Sequence, residues 1–468
     1  MLSSGFRSMH GGRRALLRLV WLFAVVGVRA DQTEVAGTMP EDYLPALKTI
    51  LQNAWGRAPR SLESELDMLQ AEARRDMMNA DRLPHFGGWA DLARNQSAVS
   101  GSSSSESRDT GLFYRLELDQ SLFHWGELKN KSAIGRLGVL MAEKNYAEAA
   151  RQLAVTLRQS YLELVVKKMR LKQARAALEL ATDDLKLAQE RAAHGEIAPG
   201  DMAGRELSFR EQSLQVATVE EEFAAARRSF ARVAGLKELP ESEVADEIPA
   251  PKYSEATTQA ILAGFMRDGG KTAFEAEINS MRATEADLNY RIARVKLLPK
   301  LDALLSHSLQ NSTNVSGNSV TQTGISTDTI GLHVGWSIFD GFYSRGEKRS
   351  ALADRRRYEQ RSERAAAEAL DRAQNLTRRL GFDLQAMDFA QAHVNIAKAS
   401  QEQLEAELPR GTVSPSMIGA TKVSRYQAEA DRASMRANFF GRWSELVSLA
   451  GLDPAINTLP ARYVRNKP

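Results

Sequence analysis

Apolar and polar positions along this chain switch between two periods, and the switching happens twice in the same order. From Glu41 to Ala80 the apolar residues Tyr43, Leu47, Ile50, Leu51 and Ala54 recur every three or four places, which predicts short helices. Leu83-Pro84 stops that pattern, because proline lacks a donor and disfavours helix at the residue before it. The period then becomes two. Phe86, Gly88, Ala90 and Leu92 alternate with His85, Gly87, Trp89 and Asp91. After the polar tract Ser100–Ser107, which reads as a loop, Leu112, Tyr114, Leu116, Leu118 and Leu122 take one face. Phe113, Arg115, Glu117, Asp119 and Ser121 take the other. From Glu127 to Ala193 the helical period returns without a break. Its apolar line, Leu171, Ala174, Leu178, Ala181, Leu185, Ala188 and Ala192, is spaced alternately three and four, which is a heptad seam.

The same succession recurs about 216 residues later. Leu301, Ala303, Leu305, His307 and Leu309 begin a strand, and a Ser/Thr/Asn/Gly tract from about Asn311 to Asp328 reads as a loop. Ile330, Leu332, Val334, Trp336 and Ile338 then alternate with Gly331, His333, Gly335 and Ser337. The second seam is Met387, Ala390, Val394, Ala397, Gln401, Leu404 and Leu408. Short identities mark the offset: Ser121-Leu122-Phe123 with Ser337-Ile338-Phe339, Gly195-Glu196-Ile197-Ala198-Pro199 with Gly411-Thr412-Val413-Ser414-Pro415, and Ala234-Gly235-Leu236 with Ala450-Gly451-Leu452. A duplicated unit this long calls for equivalent elements in both halves.

The expected organisation is a leader at 1–30, a first repeat at 31–248 and a second at 249–468. In the first repeat, strands are expected at about 84–96 and 110–123 and helices at about 127–193 and 199–235. In the second, strands are expected at about 299–311 and 328–339 and helices at about 342–408 and 415–451. Each pair of helices turns at a Gly-x-x-x-Pro tip, where glycine suits a left-handed cap and proline the first turn of the next helix. The fold class is mainly α with a small β part.

Composition narrows the function. The chain has no cysteine, which excludes a disulfide framework, a cysteine zinc site, a cysteine nucleophile and lipidation at an N-terminal cysteine. A net charge of +3 over 468 residues gives no reason to expect nucleic acid. Arg7, Arg13, Arg14 and Arg18 precede the apolar run Leu19–Val28, and Val28-Arg29-Ala30 fits a cleavage site, so an exported protein is expected. No later stretch reaches the ~18 consecutive apolar residues of a membrane-spanning helix. The histidines have no metal-ligand spacing, and Arg267-Asp268-Gly269-Gly270-Lys271-Thr272 lacks the earlier glycine of a phosphate loop, since Phe265 stands there. No catalytic, cofactor or metal site is expected.

Strands of roughly ten residues, tilted, cross a hydrocarbon layer. Four of them cannot close a barrel, and an open edge in lipid leaves unpaired N–H and C=O groups at several kcal/mol each. Chains must then combine. Three copies give twelve strands and a lumen, with Arg115, Glu117, Asp119 and His333 facing water.

These features together resemble the TolC family of outer-membrane channel proteins. The resemblance rests on duplicated halves, paired strands, uninterrupted helices, Ser337-Ile338-Phe339-Asp340-Gly341 at the strand-to-helix junction and the Gly-x-x-x-Pro tips. It runs from about residue 40 to 455. It implies a homotrimer with a twelve-stranded outer-membrane β-barrel continued by a periplasmic α-helical barrel. It also implies a passive exit channel of a tripartite efflux pump or type I secretion system, with a periplasmic adaptor and an inner-membrane transporter as partners. Gly195, Glu196, Pro199 and Asp201, with Arg410, Gly411, Pro415 and Met417, would then form the periplasmic aperture and adaptor contact. Well-known members carry aspartates six and nine residues after the second glycine; Met417 and Ala420 stand there instead, so an acidic entrance does not carry over. Two other readings stay open on the residues alone: a periplasmic adaptor with a coiled-coil hairpin, and an exported structural coiled coil.

Overall fold

The structure, a computed structural model, describes residues 38–99, 105–316 and 319–455; the expected leader at 1–30 lies outside them. The first helices among the described residues are α1 (Pro40–Tyr43), α2 (Pro45–Ala54) and α3 (Pro59–Ala80). Strands β1 (His85–Val99) and β2 (Ser105–Phe123) lead into the long α4 (Glu127–Ala193) and its return α5 (Pro199–Ala234). The second half runs α6 (Glu255–Asp268), α7 (Phe274–Val295), β3 (Lys300–Ser316), β4 (Ser319–Gly335), α8 (Tyr343–Glu407) and α9 (Pro415–Leu449).

The strands differ from expectation at both ends. The described residues of the tract 311–328, expected as a loop, are strand: β3 runs to Ser316, β4 starts at Ser319, and the pairs Asn311↔Gly324, Thr313↔Gln322 and Val315↔Val320 hold an unbroken register. The first hairpin likewise extends to Val99↔Ser105. Ladder hydrogen bonds are made by the backbone, so a register set by apolar pairs lower down carries on through Ser, Thr and Asn. At the other end β4 stops at Gly335 and not at Phe339. Trp336 instead leaves the ladder and donates its Nε1–H to Leu297 O at 3.1 Å.

The chain divides into two compact units. The first comprises the described residues up to Glu65, Lys144–Ala276 and those from Arg364 onward. Within it the helices lie side by side in the order α5, α4, α9, α8. Arg175 pairs with Glu220 and Arg205 with Asp184 between α4 and α5. Lys422 pairs with Glu179 between α9 and α4, and Arg372 with Glu445 between α8 and α9. Leu153, Leu157, Tyr161 and Val165 of α4, Phe223 and Phe230 of α5, and Phe439, Phe440, Trp443 and Val447 of α9 form its core with Leu376 and Leu380 of α8. The seams are buried in part: Leu171, Ala174, Ala181 and Ala188 on one helix and Ala390, Val394, Ala397 and Gln401 on the other are buried, whereas Ala192 and Leu408 at the tip ends are exposed. Alanine dominates because the helices approach closely.

The second unit comprises Leu66–Glu143 and Glu277–Glu363. It holds the antiparallel sheet, in the order β1-β2-β3-β4, and the ends of the helices that feed it. Helices α3 and α4 nearly touch at Gly135, where a Cβ would stand 3.0 Å from Arg75 Cα.

Candidate functional site

Residues directly opposed in an antiparallel sheet share a face. Phe86, Leu118, Leu305 and Ile330 form one row across the four strands. Leu92 and Leu112 lie higher on the same face, and Ala303 with Leu332, and Leu301 with Val334, lie lower. This apolar face is open: Phe86 is 71% exposed, Ile330 85% and Leu332 69%. The opposite face carries the row Trp89, Arg115, Ser308 and Thr327 and the row Gly87, Glu117, Ser306 and Thr329. Asp119 opposes His85 and Leu304, and His333 opposes Asp302. The sheet thus brings Arg115, Glu117, Asp119 and His333 to one polar face, with Arg115 and Glu117 4.0 Å apart. Among the described residues β1 pairs only with β2 and β4 only with β3, which leaves both edges of the sheet bare.

A polar cluster sits among the apolar rows of this face. His307 sits between Leu305 and Leu309; its Nδ1–H donates to Asp328 Oδ1 at 2.7 Å, and Nε2 lies 3.2 Å from the Tyr114 hydroxyl. The three side chains satisfy one another. The alternation singled out His307 only as an odd member of an apolar row.

At the base of the sheet two equivalent junctions turn strand into helix. Each uses two consecutive residues in the left-handed region, one glycine and one aromatic. These are Trp125 (φ 53) with Gly126 (φ 84), and Gly341 (φ 64) with Phe342 (φ 67). Glycine was the readable half of each turn; a bulky residue at positive φ has no sequence signature. Trp125 donates Nε1–H to Pro299 O at 2.7 Å. Asp340 caps α8 by accepting from Ser344 N at 2.9 Å, and the Ser344 hydroxyl and backbone keep its carboxyl below the usual range.

The helix tips lie in the first unit. At Gly195 (φ 72), Glu196 N donates to Arg191 O at 2.9 Å and Gly195 N to Ala192 O at 3.0 Å, the double bond of a Schellman cap. The second tip is built differently. Pro409 has no N–H to donate, so α8 tightens into the 3₁₀ turn Leu408–Arg410 before Gly411 (φ 73). Pro199 and Pro415 open α5 and α9, and Ser414 caps α9 by accepting from Met417 N at 3.3 Å. Glu196, Asp201, Arg410 and Met417 are exposed. A Cβ at Gly195 or Gly411 would meet nothing within 4 Å. Just above the tips Lys422 binds Glu179 at 2.7 Å, which holds its ammonium above the ordinary lysine range, and Lys172 Nζ stands 4.4 Å over the Tyr426 ring.

Among the described residues no group of three or more His, Asp or Glu converges as a metal site, and no helix is long and apolar enough to cross a membrane. Gly269 and Gly270 form the turn between α6 and α7.

Residues 50–236 and 275–452 match a sequence family described as outer membrane efflux protein. A comparison with curated protein sequences found no match. Among solved structures, the Campylobacter jejuni CmeC outer membrane channel is similar over 87% of this chain and 86% of its own, at 16% identity and a TM-score of 0.68. The outer-membrane channel OprN is similar over 87% and 90%, at 18% identity and a TM-score of 0.65. The open state of the Neisseria gonorrhoeae MtrE outer membrane channel is similar over 87% and 89%, at 17% identity and 0.60.

Proposed function

The chain belongs to the outer membrane efflux protein family, and on that premise we propose that it is the passive outer-membrane exit duct of an efflux or secretion assembly. The observation that carries this reading is the sheet. It is apolar on one exposed face and polar on the other, and among the described residues it is bare at both edges. In lipid that arrangement needs every edge paired, so sheets from several chains must join. Three copies give twelve strands, enough for a water-filled lumen lined by Arg115, Glu117, Asp119 and His333.

The helices supply a matching argument. The outer members of the layer, α5 and α8, each expose an apolar stripe at heptad spacing: Leu207 and Leu214 on α5, Phe382, Phe389 and Ile396 on α8. A stripe on each open edge suits head-to-tail closure into a ring, α5 of one copy against α8 of the next. That ring would stand in the periplasm. Its tips, Gly195 to Asp201 and Arg410 to Met417, would meet an adaptor that links the duct to an inner-membrane transporter, which supplies the energy.

Cell fractionation and planar-bilayer recording test this. The protein should sediment with the outer membrane, leave detergent as an oligomer and give stable single-channel currents. A soluble, non-conducting single chain would return the protein to the structural coiled-coil reading.

A further inference from the structure

The strand-to-helix junctions of the second unit carry an uneven charge. Their carboxylates are already paired. Asp81 and Glu127 share Lys131 at 2.8 and 3.3 Å, Glu127 also takes Lys300 at 2.6 Å, and Glu347 takes Lys296 at 2.9 Å. Asp340 is used as the cap of α8. Four bases at the same level have no such partner. Lys129 of α4 and Arg345, Lys348 and Arg349 of α8 form no ion pair or hydrogen bond with a described residue, and Lys129, Arg345 and Arg349 are exposed.

Their placement is not what helix stability favours. Lys129 and Arg345 hold equivalent positions in the two repeats, both in the opening turn, where the positive end of the helix repels a cation. α8 has no acidic residue in that turn to offset this. Beside them stands a belt of exposed rings, Trp125, Trp336, Phe339, Phe342 and Tyr343. Trp125 and Trp336 each turn an N–H back to a backbone carbonyl, and Trp125 also packs on Phe123 at 5.0 Å between ring centroids. Above the belt begins the apolar face of the sheet.

We propose that this belt is a docking surface for anionic phospholipid, with the rings at the acyl boundary and Lys129, Arg345, Lys348 and Arg349 at the phosphates. Aromatic side chains favour that boundary, and basic clusters next to a membrane-embedded element favour acidic headgroups. Arg345 to Arg349 span about 6 Å along the helix, which fits a headgroup layer roughly 5–8 Å deep. Arg356, exposed and also without an ion pair, lies about 16 Å from Arg345 along the same helix and falls outside that layer. The proposal rests on the reading of the sheet as membrane-embedded.

The test uses the purified full chain in vesicles of phosphatidylcholine with a minor share of phosphatidylglycerol. Native mass spectrometry of the extracted oligomer then counts the retained lipids. Wild type should retain phosphatidylglycerol over phosphatidylcholine. Each base in the layer adds about a fivefold preference. The quadruple variant Lys129→Gln, Arg345→Gln, Lys348→Gln, Arg349→Gln should therefore lose at least about tenfold of it while still inserting. Arg356→Gln, which removes a charge outside the layer, should leave the preference unchanged, and the single variant Arg345→Lys should keep it. Equal retention of both lipids by wild type, or an undiminished preference in the quadruple variant, overturns the proposal; so does an equal loss in Arg356→Gln. An acidic periplasmic protein bound in place of lipid would overturn it as well. Failure of wild type to insert into any vesicle is a different result and strikes the membrane reading instead.

Discussion

Arg158 and Asp453 meet at 2.7 and 2.9 Å, with neither side chain reaching solvent. The same guanidinium takes Glu41 at 2.8 and 2.5 Å. One side chain of α4 thus holds both the segment that enters the fold at α1 and the one that leaves after α9. Burial alone would push the guanidinium down, but hydrogen bonds and charge from Asp453, then Glu41, hold it above its ordinary value. Arg158→Met leaves the buried Asp453 carboxylate without its cation, so it should cost about 3–5 kcal/mol. Chemical denaturation in detergent, followed by helical circular dichroism, measures it; a loss under ~1 kcal/mol would mean the site relaxes by admitting water.

A second prediction concerns pH. Burial raises the Glu127 carboxyl, but Lys300 and then Lys131 outweigh it, and the net shift is downward. A depressed carboxyl contributes stability that is present above its unfolded value and lost as pH falls through its folded one. The melting temperature of wild type should exceed that of Glu127→Gln at neutral pH, and the gap should close as pH drops below the ordinary carboxylate range. A gap that persists in acid would assign the effect to packing.

Glycines at positive φ differ in what surrounds them. A Cβ on Gly270 (φ 74) would fall 2.2 Å from the Ala366 carbonyl oxygen, whereas one on Gly195 would meet nothing. Gly195→Ala should therefore cost only the left-handed strain, about 1–2 kcal/mol. Gly270→Ala should cost clearly more or prevent folding. Equal losses in thermal unfolding would contradict the close approach.

The open space at the tips sharpens a functional test. Gly195→Glu or Gly411→Glu should still assemble at the cost of that left-handed strain, because a Cβ there meets no described atom within 4 Å, yet abolish export if the tips dock an adaptor. Normal export by both variants would remove the tips from the mechanism.

What the sequence made legible follows from where side chains carry the information. The seam of α4 was readable because Leu171, Ala174 and Ala181 repeat the period that burial imposes. The outer halves of β3 and β4 were not, because Ser, Thr and Asn on both faces erase the alternation while the backbone still pairs. Arg158 left a trace as a charge among the core positions Leu157, Tyr161 and Val165, but its partners lie 117 and 295 residues away. Pro409 was visible, and its effect on the second tip follows from its missing donor.

In the proposed duct the bare sheet edges of neighbouring copies pair, and the repeat supplies their register. β2 sets Leu118 against Leu305 of β3. Carried over by the repeat offset of about 216 residues, one fewer between β1 and β3, that pair becomes Val334 of one protomer against Ala90 of the next, both on the apolar face. The chain has no cysteine of its own, so Ala90→Cys with Val334→Cys introduces the only thiols. Oxidised in outer membranes and run on a non-reducing denaturing gel, this variant should give a covalent ring of three chains that reduction returns to one. Thiols that stay unlinked, or a ladder that climbs past three, would contradict it.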